Sequence, residues 1–458
     1  MLWRTEARAV HSGHDRPTML KIYDVESARR TILQRTNGGR EDYPPRLLEG
    51  VERIFGSGTT PREAVSEILQ SVRGEGDPAV RGWTHRVDGL ELEDFIVEQP
   101  AVVDAFERTP AAVRQALGMA AERIRSFHER QPIPSWTTEE MGGRLGQRFS
   151  PIRSVGVYVP GKSAPLPSSL LMSVIPALVA GVERIVVCTP PPAADIILAA
   201  AHVCGLESLY QIGGAQAIGA MTYGTESVPK VDKIVGAGNL FVSLAKQQVF
   251  GEVGIDGIAG PTETVIIGDA MARPSWVAAD LLAQAEHDPM ASAILITPSR
   301  ELAEAVQSEV ERRAAELSRA PIILESLSRR GGIVLTEDLA TAAVLTNEYA
   351  PEHLCLSVTD PVALAKEIRN AGGLFVGERS FEVLGDYVAG PSHIMPTGGT
   401  ARFASPLNVL DFVKITSWIE LDDDSSATLG PPASQLAEAE SLTAHAAAAQ
   451  IRMESGDV

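Results

Sequence analysis

Positive charge is scarce in this sequence: 40 Lys and Arg stand against 59 Asp and Glu, for a formal net charge of −19. That argues against a nucleic-acid partner, because phosphate contacts need Lys and Arg, and against an anionic membrane surface. Long apolar runs are missing. The longest, Leu170–Val182, is broken by Ser173 and Pro176 and stops at Glu183, too short to span a bilayer. Residues 1–18 hold no apolar h-region, so no secretory signal is read there. Cysteine is limited to Cys188, Cys204 and Cys355, widely spaced and each in an apolar setting. That fits buried thiols in a reducing cytoplasm and not a disulfide framework. A complete Gly-x-Gly-x-x-Gly is also absent: in the nearest match, Gly236-Ala-Gly238-Asn-Leu-Phe241, Phe241 replaces the third glycine.

What is present is an ordinary globular composition, 44% hydrophobic and 22% charged, on a chain of 458 residues. That length suggests about three domains. Residues 1–18 are polar and aperiodic, and read as a disordered tail or an upstream start, with Met19 the alternative first residue. From 19 to 139 the pattern is helical, with Thr60-Pro61 and Thr109-Pro110 as helix starts. From Ser154 short apolar runs alternate with helical ones. Val155–Val159, Arg184–Cys188, Lys233–Val235 and Thr264–Ile267 read as strands, followed by Ala293–Thr297, Ile333–Leu335, His353–Val358 and Leu374–Val376. Such alternation predicts parallel sheets covered on both faces. The fold class is therefore α/β, with two doubly wound Rossmann-like units at 140–262 and 263–400. Residues 401–458 form a C-terminal arm. There Asp422, Asp423 and Asp424 read as a solvated linker, and Ser434 caps a final Ala-rich helix through about Met453. That helix has too few large apolar residues for its own core and needs another surface, in the same chain or a partner subunit.

Four stretches could carry chemistry. In NEYAPEHLCL, Glu352 and His353 follow Pro351 at a helix-to-strand junction, and Pro351 should push Ala350 out of helical geometry. A neutral imidazole can take a proton near pH 7, and a neighbouring carboxylate can activate water. The plainer reading is a capped loop with an ion pair. In LLAQAEHDP, Gln284 and His287 share a face of a predicted helix, as a metal-facing pair or with His287 as a cation at the helix end. In GDYVAGPSH, Asp386 and His393 flank the Gly390-Pro391 turn, which either brings them to one point or is an Asx-turn beside a surface His. Glu440 and His445 lie on the last predicted helix, about 140° apart, on either side of a ligand or on a solvated face. Asp, His and Gln donors suit zinc or manganese. The turns Val159-Pro160-Gly161-Lys162, Gly213-Gly214-Ala-Gln216 and the one at Gly236 could present backbone N–H groups to a pyrophosphate or be tight turns only.

Taken together, GGAQAIGAMTYGT, VDKIVGAGN, WVAADLLAQAEHDP, NEYAPEHL, GDYVAGPSHIMPTGGTARF and SLTAHA resemble the histidinol dehydrogenase family over roughly Met19 to Met453. The resemblance implies oxidation of L-histidinol to L-histidine through the aldehyde, the last step of histidine biosynthesis, with two NAD and one zinc. It implies zinc on Gln284, His287, Asp386 and His445, the general base at His353 and the water-handling carboxylate at Glu352. Substrate contacts are implied at Thr262, Gln284, His287, His353, Asp386, His393, Glu440 and His445, and cofactor contacts at Tyr158, Gln216 and Asn239. It further implies a cytoplasmic homodimer whose exchanged C-terminal arm brings Glu440 and His445 to the partner's site. Thr262 stands where Ser is usual, Lys162 where a second glycine is common, and Ala237 where Pro is common. Two rivals are a paralogue oxidising a sulfonated diol and a non-enzymatic metal-binding dimer on the same fold. The first would want added cationic residues at the site, and the second predicts losses among the titratable groups.

Overall fold

The computed structural model describes residues 20–35, 43, 45–161 and 164–454. The expectations for residues 1–18, Met19 and Lys162 lie outside them. Fifteen strands are described. In chain order they are β1 (Ile22–Asp24), β2 (Ile96–Val97), β3 (Trp136–Thr138), β4 (Arg144–Pro151), β5 (Ser154–Tyr158), β6 (Arg184–Cys188), β7 (Leu209–Tyr210) and β8 (Lys233–Val235). Then come β9 (Gly254–Ile255), β10 (Glu263–Gly268), β11 (Ser292–Thr297), β12 (Gly332–Leu335), β13 (His353–Ser357), β14 (Gly373–Val376) and β15 (Val413–Glu420). The chain divides into two compact units, one of Met1–Ala64, Ala237–Gln247 and Gly257–Pro406, the other of Val65–Gly236, Gln248–Asp256 and Leu407–Val458. Both are built on the parallel α/β plan read from the strand–helix alternation. Among the described residues no helix is long and apolar enough to cross a membrane.

The first unit holds a six-stranded parallel sheet in the order β1-β12-β11-β10-β13-β14. Its central strands are buried along their whole length and apolar on both faces. Successive residues point to opposite sides. Ile266, Leu295, Ile333 and Cys355 pack beneath the helices Pro274–Ala285, Arg300–Ala314 and Ala320–Arg330. Val265, Ile267, Ile294, Ile296, Leu354 and Leu356 pack with Tyr349 and Leu345 of the helix Leu339–Tyr349 on the other side.

The second unit holds the sheet β2-β7-β6-β5-β8-β9, parallel except for the edge strand β2. It also holds an antiparallel sheet, β15-β4-β3.

Several expectations are corrected. The stretch 19–139 is not helical throughout: β1 and β2 supply edge strands, one to each parallel sheet. Thr109 does not cap the helix Ala111–His128. Pro110 is its N-cap, and the Thr109 hydroxyl donates to the carbonyl oxygen of Ala105 in the preceding helix. The acidic patch is no linker, because Asp422 caps the helix Asp423–Ala439 by accepting from the Ser425 amide. Acidic residues belong in a first turn because they oppose the positive end of the helix dipole. Ser434 lies buried within that helix, and the chain breaks at Ser441 (φ 62) before a second helix, Thr443–Glu454. Glu440 and His445 therefore sit on either side of a bend and not on one helix.

Candidate active site

Seven of the expected residues belong to the first unit's sheet and the helices around it. Glu263 opens β10 and His353 opens β13, in register one residue apart (Thr264 pairs with His353). Thr262 and Glu352 precede them. The helix after β10 runs back along the sheet and ends at Gln284-Ala285, so Gln284 returns to the start of the strand. The helix Glu382–Tyr387 after β14 does the same for Asp386. The site therefore forms at the amino-terminal edge of the sheet. Open α/β sheets ordinarily bind ligands outside the carboxyl ends of their strands, and this site lies at the other edge. At the carboxyl edge a cleft of about 390 Å³ is lined by Arg273, Trp276, Thr359, Glu378 and Arg379 among others, and none of the expected residues reaches it.

Thr262 is the hub of the site. Its hydroxyl donates to Glu352 Oε2 at 2.6 Å and accepts from Gln284 Nε2 at 3.0 Å. The Glu263 amide also donates to Glu352 Oε2, at 3.1 Å. Burial pushes the Glu352 carboxyl up to about 7, against the nearby His353 and these two hydrogen bonds, which lower it. His353 is 4% exposed, and its Nδ1 faces the Glu263 carbonyl oxygen at 3.2 Å. A ring nitrogen facing a carbonyl must carry the proton, so Nε2 of the neutral ring holds the lone pair. Nε2 is buried without a hydrogen-bond partner and faces Asp386 Oδ1 at 3.7 Å.

His287 is not on the helix as expected: Glu286 is the C-cap, and the His287 amide closes the last turn on the Gln284 carbonyl oxygen. Desolvation lowers its imidazole pKa against the pull of Asp386, although the residue is exposed at the surface of the chain. His393 donates from Nδ1 to the Asp386 carbonyl oxygen at 2.7 Å, and burial lowers its pKa too. The GPSH turn thus joins the two residues through main chain.

Pro351 ends the preceding helix as expected. Ala350, however, takes a left-handed conformation (φ 51, ψ 67) and not an extended one, with a strain of roughly 1–2 kcal/mol.

The donor set suits zinc in its chemistry. Gln284 is fully buried, its amide nitrogen is fixed on Thr262, and its Oε1 has no partner. With His287 and Asp386 it makes a borderline nitrogen and oxygen set. Among the described residues no group of three or more His, Cys, Asp or Glu is gathered that could hold a metal. The first unit thus supplies an incomplete set. His445 and Glu440 belong to the second unit and are exposed at the Ser441 bend.

In the second unit two of the three expected cofactor residues, Tyr158 and Gln216, lie at or just beyond the carboxyl edge of the parallel sheet. β5 is flanked by β6 and β8, so the strand order reverses at its carboxyl end. Tyr158, the last residue of β5, accepts from the Gly214 amide at 3.1 Å, and Gln216 is buried with an unpartnered Nε2. Gly236 (φ 104) closes the turn after β8, where a Cβ would lie 2.3 Å from the Tyr158 carbonyl oxygen. Asn239 belongs to the first unit and caps the helix Leu240–Val249 by accepting from the Val242 amide. That local role was not read from the sequence.

Other site neighbours were missed as well. Glu263 hides beside Thr262 in an apolar strand. Glu382 is buried and bonded to the Thr264 hydroxyl, and burial together with Asp386 holds it well above the carboxylate range. Its signal was its place one helical turn before Asp386.

Known proteins similar to this chain point to one family. A family model described as histidinol dehydrogenase matches residues 56–453. The histidinol dehydrogenase of Aquifex aeolicus is 50% identical over 419 residues, covering 90% of this chain and 98% of that protein. That of Deinococcus radiodurans is 47% identical over 416 residues, covering 90% and 95%. The crystal structure of histidinol dehydrogenase from Elizabethkingia anophelis matches with a TM-score of 0.87 at 33% identity, covering 96% of this chain and 99% of that one. This chain belongs to the histidinol dehydrogenase family.

Proposed function

We propose that this protein oxidises L-histidinol to L-histidine through the aldehyde, in the last step of histidine biosynthesis, with two NAD and one zinc. The observation that carries the reading is a pair of buried, unpartnered atoms at one sheet edge, His353 Nε2 and Gln284 Oε1. One is a lone pair fit to take a proton, the other an oxygen fit to hold a cation.

Hydride leaves the carbinol carbon only as its hydroxyl proton departs. His353 Nε2 takes that proton, a contribution of ~10²–10⁴ in rate. The Glu263 carbonyl oxygen holds the tautomer. Water must then add to the aldehyde. Glu352, kept near neutral pKa by burial, orients that water and takes its proton, and the second hydride leaves from the hydrate. Tyr158, Gln216 and Asn239 would contact NAD, which would supply the hydride acceptor for each half-reaction. Gln284, His287, Asp386 and His445 would hold zinc, which supplies positioning of the substrate's imidazole and amine nitrogens. Glu440 and His393 complement a cationic amino-imidazole.

The arm that carries Glu440 and His445 serves a second copy of the chain. Leu436 is 66% and Ile451 61% exposed on its helices, and Ile419 is 74% exposed on β15. A partner surface that covers these side chains would remove that apolar area from water. The homodimer is tested by mass in solution. The activity is tested by NAD reduction on adding histidinol, with and without a chelator: reduction that the chelator abolishes is expected, and reduction with a sulfonated diol but not histidinol would overturn the reading.

A further inference from the structure

The two catalytic groups hang on main chain that neither of them controls. Glu352 Oε2 accepts from the Glu263 amide at 3.1 Å, and His353 Nδ1 donates to the Glu263 carbonyl oxygen at 3.2 Å. One peptide segment, the first residue of β10, therefore sets the carboxylate and the imidazole tautomer together. The other determinant is the turn that delivers them, Tyr349-Ala350-Pro351, in which Ala350 is held left-handed at φ 51. A turn strained in this way persists only if its surroundings over-determine it.

A single side chain grips both segments. Arg35 comes from the N-terminal stretch, 228 residues from Glu263 in sequence. Its Nη1 and Nη2 donate to the two carboxylate oxygens of Glu263, the second at 2.9 Å. Its Nε donates to the Tyr349 carbonyl oxygen at 3.0 Å, and Nη2 also reaches the carbonyl oxygens of Tyr349 and Ala350. The guanidinium carbon lies 3.6 Å from the centre of the Tyr349 ring. Glu263 takes one further bond, from the Gly398 amide at 3.3 Å. Only a planar fork with donors on three nitrogens makes these contacts at once; an ammonium keeps the charge and loses the geometry.

We propose that Arg35 is a positioning residue for both half-reactions. It holds Glu263 and the Tyr349-Ala350 carbonyls in place, and through them the Glu352 carboxylate and the His353 tautomer. Arg35 touches neither catalytic side chain. The proposal rests on the reading of His353 as base and Glu352 as the water-handling carboxylate.

Arg35→Lys and Arg35→Met are compared with wild type and with His353→Asn in the zinc-loaded enzyme. Four readouts are taken: kcat and KM on histidinol and on the aldehyde, the pH profile, zinc content and thermal midpoint. Amide exchange over residues 261–266 and 347–356 is followed as well. For Arg35→Lys the expected result is a fall in kcat of ~10–100-fold, with KM within about threefold. Zinc content stays at the wild-type level, the acid limb of aldehyde oxidation is displaced, and exchange is faster in both segments. Arg35→Met behaves the same way or worse. If it fails to fold, Arg35→Lys alone decides. Wild-type kcat and pH profile in Arg35→Lys, in an assay where His353→Asn has lost activity, would overturn the proposal. A lowered thermal midpoint as the sole change would do so too. If His353→Asn keeps its rate, the underlying reading fails instead, and the exchange data alone then test whether Arg35 holds the two segments.

Discussion

Replacing Glu352 by Gln tests the electrostatics of the site without changing its shape. The carboxyl is 7% exposed, and its pKa is pushed from 4.5 up to about 7, burial being the largest cause. The folded protein therefore binds a proton at Glu352 more tightly than the unfolded chain does. Between pH 4.5 and 7 the folded state holds more protons, so stability falls as pH rises through that window and the penalty is complete above it. At about 1.4 kcal/mol per pH unit the penalty is roughly 3 kcal/mol. Gln is neutral in both states and has no such dependence. It still accepts from Thr262 and the Glu263 amide, and its own N–H groups need partners, at a cost of about 1 kcal/mol. The variant should match wild type or fall slightly below it at pH 4.5 and exceed it by roughly 2 kcal/mol at pH 8. Glu382 and Asp280, also raised by burial, act alike in both proteins and cancel in the difference. Thermal unfolding at the two pH values, at fixed zinc and protein concentration, measures the gap. A gap of equal size at both would refute the burial argument. The same substitution should depress aldehyde oxidation more than alcohol oxidation, and equal losses would remove the water-handling role. In wild type, aldehyde oxidation should rise with pH through about 7 as Glu352 ionises.

Substitutions at three further positions test the rest of the reading. His353→Asn should lower kcat by ~10²–10⁴ with zinc retained; wild-type turnover would take His353 out of the base role. Thr262→Val removes the donor to Glu352 and the acceptor for Gln284. It should cost about 1–3 kcal/mol and move the acid limb of aldehyde oxidation to higher pH, whereas Thr262→Ser keeps both bonds and should keep the limb in place. Gly236→Ala puts a Cβ 2.3 Å from the Tyr158 carbonyl oxygen at φ 104. A loss of about 2 kcal/mol or more and a raised KM for NAD should follow, read by thermal unfolding and by NADH formation.

The parallel strands were legible because their grammar is redundant. Runs such as Ser292–Thr297 and Glu263–Gly268 are apolar on both faces, and only a covered parallel sheet tolerates that. Strands β1 and β2 were not legible. Runs of three and two residues carry no period, and their place is fixed by pairing with β12 and β7. The bend at Ser441 was hidden for a related reason, since an Ala-rich run looks helical throughout and only the φ of one residue divides it. Among the site residues, Glu352-His353 and Asp386-His393 stood out as titratable pairs beside prolines, but their roles came from the family resemblance. Glu263 and Arg35 had no signal at all, because a partly buried ion pair between chain segments 228 residues apart leaves no pattern in either one.

On the proposed function the two units would use opposite edges of the same kind of sheet, and helix electrostatics accounts for the choice. At the carboxyl edge helices begin, and their free amides and positive dipole ends suit anions such as a pyrophosphate. Tyr158, the Gly213-Gly214 turn and Gly236 lie there in the second unit. At the amino edge helices end, with free carbonyls and negative dipole ends that suit cations. Gln284 and Asp386 sit in the last turns of two such helices, and the His287 amide caps one of them. A divalent ion and an ammonium are both cationic, and the amino edge is the one whose helix ends suit them. The glycine fingerprint therefore says nothing about where the proton and metal chemistry lies. That chemistry is announced instead by polar residues just before a strand, as in Pro-Thr-Glu ahead of Thr264 and Pro-Glu-His ahead of Leu354.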